Sequence, residues 1–170
     1  MLGPESTGKS TLARELAERF NTVCVPEYAR IYAVDKQAVN ASSWWPEEFV
    51  HIARTQARFE NEAARGARDL IICDTDPFSV WIWHRLYTKE LVDAVAAVSD
   101  SSPADLYLLT TPDLPFVDDG VRDRRVERKR IYETYRRELK RTGRTFVEIS
   151  GDHDERLAKA TAAVERLLSA

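Results

Sequence analysis

GPESTGKSTL, Gly3 to Leu12, fits the pattern G-x-x-x-x-G-K-[ST] through Gly3, Gly8, Lys9 and Ser10. Each residue type has a physical task in holding polyphosphate. Glycines let backbone amides wrap closely around oxygens where a Cβ would clash or φ must be positive. Gly3, Glu5, Ser6, Thr7, Gly8 and Thr11 would line the loop, Lys9 would add a compact cation, and the Ser10 hydroxyl is a hard ligand suited to Mg²⁺. The apolar spacing of Leu12, Leu16 and Phe20 predicts a helix over 9–20, with its positive N-terminus aimed at the phosphates.

Working outward, short apolar runs at 22–25, 70–73, 106–109 and 146–149 read as buried strands, each bounded by polar residues or proline. Helical patterns fall between them, at 46–67, 78–86, 89–98, 126–141 and 154–168, the first opened by Pro46. Alternating strands and helices imply parallel crossovers. The expected fold is therefore an α/β, P-loop NTPase-type parallel sheet with helices on both faces, its site at the carboxyl edge. A strand of about five apolar residues should lead into the phosphate loop, and only Met1 and Leu2 precede it. The first strand is expected to be truncated in this sequence, with upstream residues needed for full stability.

Composition narrows the function classes. With 170 residues and neither repeat nor linker, one domain over 1–170 is expected. A formal net charge of −3 gives no general pull toward nucleic acid. No signal peptide or bilayer-length apolar run is visible, so a cytoplasmic protein with a small-molecule partner is expected. Cys24 and Cys73, the only cysteines, lie in strand-like runs and read as buried free thiols.

Three later stretches carry chemistry. VPEYARIY, Val25 to Tyr32, delivers Glu27 to the carboxyl edge, where it either accepts a proton from an attacking hydroxyl or serves as a first-turn acid against a helix dipole. Arg30 could hold a substrate oxygen or pair with Glu27 or Glu48. DLIICDTDPFSVWIW, Asp69 to Trp83, is an apolar strand ending in acid, like a Walker B segment: Asp74 would hold Mg²⁺, with Asp76 two residues on. The Asp-rich turn before Pro77 is the alternative. TTPDLPFVDDGVRDRRVERKR, Thr110 to Arg130, turns strongly basic and suits a lid at about 117–130, with Asp119, the hinge Gly120 and Arg122. Arg128, Lys129, Arg130, Arg136 and Arg137 read mostly as a solvated helix face. Trp44, Trp45, Trp81, Trp83 and Tyr87 could stack on a substrate ring but suit the core better.

With GPESTGKST, VPEYAR, ICDTDPF and PDLPFVDDGVR in place, the chain resembles the ribosylnicotinamide (nicotinamide riboside) kinase domain of the NadR type, in the P-loop nucleoside kinase group. The similarity runs in order across nearly the whole chain. It implies ATP- and Mg²⁺-dependent phosphorylation of the riboside 5′-hydroxyl in NAD biosynthesis by salvage. Carried over by position, Gly8, Lys9, Ser10 and Thr11 would hold ATP and Mg²⁺. Lys9, Glu27, Asp74 and Arg122 would be catalytic, and Glu27, Tyr28, Arg30, Asp76 and Asp119 would meet the substrate. Pro26 stands where the better-known members carry an aromatic residue, which bears on the acceptor more than on the reaction. No H-x-G-H nucleotidyl-transfer signature occurs in the sequence, so a bifunctional NAD enzyme is not expected.

The competing expectations are a kinase for another nucleoside or small alcohol, and a P-loop ATPase or switch acting through a partner. A GTPase would show N-K-x-D, and Thr88-Lys89-Glu90-Leu91 lacks its aspartate. A transporter ATPase would show an L-S-G-G-Q-like signature, which is missing. A mechanical AAA-type ATPase would need a second helical domain, for which the length leaves no room.

Overall fold

A computed structural model describes residues 1–38, 43–88, 90–101, 103–116 and 127–170. Among these, β1 (Cys24–Val25) pairs in parallel with β2 (Ile72–Cys73), and β3 (Tyr107–Thr110) pairs in parallel with β4 (Phe146–Ile149). The two half-sheets meet at the chain start. Leu2 forms a parallel bridge with Leu109, its N–H donating to Leu108 O at 2.8 Å and its carbonyl accepting from Thr110 N at 2.9 Å. On the other side the Met1 ammonium donates to Cys73 O at 2.6 Å. Met1 and Leu2, which looked too short to count as the first strand, thus bridge β2 and β3.

Helices cover both faces, as expected of a parallel sheet. On one face, α1 (Lys9–Arg19) and α7 (His153–Leu168) bury Leu12, Leu16, Ala160 and Val164 against Ile72, Leu108 and Ile149. On the other, α3 (Pro46–Gly66), α4 (Pro77–Tyr87) and α6 (Arg128–Arg141) bury Ile52, Phe78 and Tyr135 against Leu2, Tyr107 and Leu109. Successive β3 residues alternate between the two cores, because strand side chains point to opposite faces with a period of two. Hence all four are buried.

Two helices differ from expectation. α5 (Asp93–Ser101) begins later than residue 89, with Asp93 placing an acid in the first turn to offset the helix dipole. α2 (Tyr28–Ala38) is not among the helical patterns read from the sequence, where only a helix dipole beside Glu27 was considered. It lacks an apolar stripe, for Ile31 and Val34 are exposed while Ala33 and Lys36 are buried. Lys36 is neutralised by Glu48 at 2.7 Å and lies over the Trp44 ring, so tertiary pairing rather than periodicity holds α2 in place. Cys24 and Cys73 are free and half-buried.

Behind Leu2, a groove of about 600 Å³ runs between the half-sheets, lined by Met1, Leu70, Ile72, Leu106, Leu108 and Leu168 among others. Glu60 also lines it, its carboxyl pushed up to about 8 by burial and then by the charge of Asp76. Residues of β2 and of β3 line it, an arrangement able to receive a parallel strand. Adding five β-branched or apolar residues ahead of Met1 should supply the ladder hydrogen bonds and stabilise the fold by about 2 kcal/mol, roughly 4–8 °C in Tm. Thermal unfolding of the two forms checks this, and equal Tm values would show that the groove is not a strand seat.

Candidate nucleotide and phosphoryl-transfer site

The phosphate loop turns sharply out of the Leu2 bridge. Gly3 has φ of 139°, and a Cβ there would lie 2.3 Å from Thr110 Oγ1 and 2.7 Å from Thr110 O. Only glycine fits that approach. Thr7 Oγ1 donates to Pro4 O at 2.8 Å and sits 2.6 Å from Thr110 Oγ1, stitching the loop onto the end of β3. Ser6 (φ 52°) and Gly8 (φ 77°) are left-handed, and Gly8 is the N-cap of α1. The loop thereby curls around the helix N-terminus, whose first amides have no intrahelical partner and whose dipole favours an anion. Lys9 Nζ donates to Pro4 O at 2.7 Å, folded over the same loop.

Opposite Ser10 stands Asp74, one residue beyond β2 and 8% exposed. Burial pushes its carboxyl above the usual range; a hydrogen bond from Ser10 and the charge of Lys9 pull it down, while Glu27 adds a further upward push. Asp74 Oδ1 is buried without a hydrogen-bond partner. A hydroxyl and a desolvated carboxylate oxygen beside a phosphate loop are the donor set Mg²⁺ takes, since that ion keeps several waters and uses only one or two protein oxygens plus phosphate. No group of three or more His, Cys, Asp or Glu residues with metal-binding geometry occurs among the described residues. Ser10 and Asp74 therefore fit Mg²⁺ rather than an all-protein metal cage.

Glu27 follows β1 and lies close enough to Asp74 for its charge to act there; its side chain is 11% exposed. Arg30 forms a loose ion pair with Glu27 at 3.9 Å rather than with Glu48, which Lys36 and Tyr32 occupy. Together Lys9, Ser10, Asp74 and Glu27 gather a cation, a hydrogen-bonded hydroxyl–carboxylate pair and a second carboxylate at the carboxyl edge.

Other sequence candidates are placed differently. Asp76, expected at the substrate, is buried: it caps α4 by accepting from Ser79 N at 3.0 Å and is hydrogen-bonded to Tyr107. Its position after the strand-end turn makes it a helix cap first. Tyr28 packs between α2 and α3, its N–H donating to Gln56 Oε1 at 2.9 Å and its hydroxyl 3.0 Å from His51 Nε2. Glu5 is buried in the loop, and Thr11 faces outward on α1. Asp119, Gly120 and Arg122, with residues 117–126 of the expected lid, lie outside the described residues. Trp83 is core and Trp45 exposed, while Trp44 packs with Tyr32, Phe49 and Tyr87.

Arg128 corrects the solvated-face expectation. It is buried, with Nη2 donating to Ser6 O and Leu114 O, both at 3.0 Å. Arg156, not singled out by any sequence motif, is also buried and donates to Thr7 O at 3.0 Å. A basic helix-start residue and a lone arginine in an amphipathic helix carry no local signal for such long-range contacts.

Gly3→Ala should combine positive-φ strain with overlap on Thr110, costing about 2–5 kcal/mol and lowering Tm accordingly. Thermal unfolding would measure it. A wild-type Tm would contradict the close approach of Gly3 to β3.

The profile of a family described as "AAA domain" matches residues 1–156. The trifunctional NAD biosynthesis/regulator protein NadR of Salmonella typhimurium is 29% identical over 99% of this chain, and that of Escherichia coli is 28% identical over the same share. The chain spans 42% of the length of either relative. A crystal structure of NadR in complex with NR superposes with a TM-score of 0.81 at 24% identity, covering 99% of this chain and 50% of that one. A second, in complex with NAD and AMP-PNP, gives 0.77 at 21%, covering 99% and 48%. These likenesses in structure establish the P-loop α/β fold. By the family match, the chain belongs to the AAA-domain family, and within it is similar throughout its length to part of NadR.

Proposed function

We propose that this chain is an ATP-dependent kinase that phosphorylates the 5′-hydroxyl of nicotinamide riboside in NAD biosynthesis. The observation that carries the reaction class is the meeting of Ser10 and Asp74 beside the phosphate loop, with Glu27 at the same edge. The acceptor rests on similarity to NadR, for which a complex with NR is described. Among the described residues no helix is long and apolar enough to cross a membrane, in keeping with a cytoplasmic enzyme acting on small molecules.

ATP would lay its β- and γ-phosphates on the amides of Ser6 to Thr11. Lys9 would leave Pro4 O for a phosphate oxygen, a stronger, charge-assisted partner. Ser10 and Asp74 would hold Mg²⁺, which when bound neutralises phosphate charge and helps align the γ-phosphoryl. Glu27 would accept the proton of the attacking hydroxyl as its oxygen bonds to the γ-phosphorus and the bond to the β–γ bridging oxygen breaks, releasing ADP, and Arg30, its ion-pair partner, would steady Glu27 for the incoming alcohol. Asp119 and Arg122, outside the described residues, would by the resemblance serve the substrate and the transferred phosphoryl group.

Lys9→Ala should keep the fold and reduce kcat by about 10²–10³, as losing a preorganised charge at the transferred group does. Removing Mg²⁺ with a chelator should abolish turnover. Normal phosphorylation by folded Lys9→Ala protein would overturn the site. The acceptor is tested by a panel of nicotinamide riboside, adenosine, cytidine, uridine and pantothenate with saturating ATP. Preference for nicotinamide riboside is expected. Because Pro26 replaces an aromatic residue, preference for another member would reject this acceptor and retain the kinase, while turnover of none, with steady ATP hydrolysis, would favour an ATPase.

A further inference from the structure

Two buried arginines from different helices converge on consecutive carbonyls of the phosphate loop. Arg128, the first residue of α6, uses both protons of Nη2, one for Ser6 O and one for Leu114 O, each at 3.0 Å. Arg156 of α7 places Nη1 3.0 Å from Thr7 O. Its other donors go to Gly151 O at 2.7 Å, to Thr111 O at 3.1 Å and to the Asp113 carboxylate. Each arginine thus ties one loop carbonyl to the segment that leaves β3, residues 111–114. Both are deeply buried, at 8% and 3% exposure.

We infer that Arg128 and Arg156 are positioning residues that aim the phosphate-binding amides of Thr7 and Gly8 into the loop. The reason lies in the peptide plane. In a trans peptide the C=O of one residue and the N–H of the next point in opposite directions. Holding Ser6 O on Arg128 sends the Thr7 N–H the other way, and holding Thr7 O on Arg156 does the same for the Gly8 N–H. Ser6 and Gly8 are both left-handed, outside the helix and strand ladders that fix peptide planes elsewhere. A guanidinium suits the task because its rigid fork reaches two acceptors at fixed angles, whereas an ammonium is a point donor. The side chains act from behind the loop, through its backbone, and each also has a partner on the β3 exit. Nucleotide therefore meets a cradle whose orientation is already set, and little ordering free energy is lost on binding.

The inference rests on the loop being a nucleotide site, and the two fail differently. ATP and ADP dissociation constants are measured by calorimetry, with thermal unfolding and acceptor KM, for wild type, Arg128→Lys, Arg128→Gln and Arg156→Lys. All binding is measured at least 15 °C below each Tm. Each variant is expected to weaken ATP and ADP together on the order of 10-fold or more, the loss typical of a charge-assisted hydrogen bond. Acceptor KM should stay at the wild-type value. Lysine should not rescue, since it restores charge without the fork. Lower Tm values with wild-type ATP affinity would mean that the arginines only hold the fold, and would overturn the inference. Rescue by Arg128→Lys would show that charge rather than orientation matters, and would overturn it too. If Arg156→Lys fails to fold, the Arg128 pair decides. Wild-type protein that binds no ATP would remove the nucleotide site and the inference together, whereas ATP binding that is identical in all variants would remove the inference alone.

Discussion

Leu2 holds the molecule together at the point where chemistry is to happen. Its N–H and C=O both bond to β3, and the neighbouring Met1 amine reaches β2, so two residues join half-sheets that otherwise pair only internally among the described residues. The phosphate loop begins at the next residue. Its starting direction is set by that bridge and by a glycine whose missing Cβ lets Thr110 approach. A parallel sheet buries its strands on both faces, which is why the same two residues also sit in the core, with Leu2 only 1% exposed. Position of loop, position of α1 and contact between half-sheets are one constraint seen from three sides.

Around that fixed loop, the site works with few groups. One hydroxyl and one desolvated carboxylate are enough for a hard divalent cation when phosphate oxygens supply the remaining charge. Asp74 costs free energy to keep ionised in a buried place, and the Lys9 and Ser10 contacts repay only part of it. A bound cation would complete the neutralisation. Lys9 donates to Pro4 O beside the place where phosphate would arrive, and a charged oxygen outcompetes a neutral carbonyl for such a donor.

Much of this was legible in the residues because the signals are local. Strand runs ending in acid or proline, the glycine spacing of the loop and the Pro46 start of α3 each depend on a few neighbours, and β4 coincides with its expected bounds of 146–149. What escaped depends on distance. α2 shows no stripe because its stability comes from Lys36 meeting Glu48 on α3. Arg128 looked like one more member of a basic run, yet it contacts a loop 122 positions earlier in the chain. Asp76 sits in an acidic pair that suggests substrate binding, and the helix starting at Pro77 claims it as a cap. For Lys36 and Arg128 the task was decided by an element outside the sequence neighbourhood, whereas the cap at Asp76 is local and matches the alternative of an Asp-rich turn before Pro77.

Titration of ¹⁵N-labelled protein with AMP-PNP and Mg²⁺, followed through backbone amide resonances, shows whether the phosphate loop at the Leu2 junction is the nucleotide site. The largest shifts are expected at Thr7, Gly8, Lys9, Ser10 and Thr11, with Asp74 responding only when Mg²⁺ is present. Saturable shifts confined to other surfaces, with residues 3–11 unmoved, would contradict that assignment.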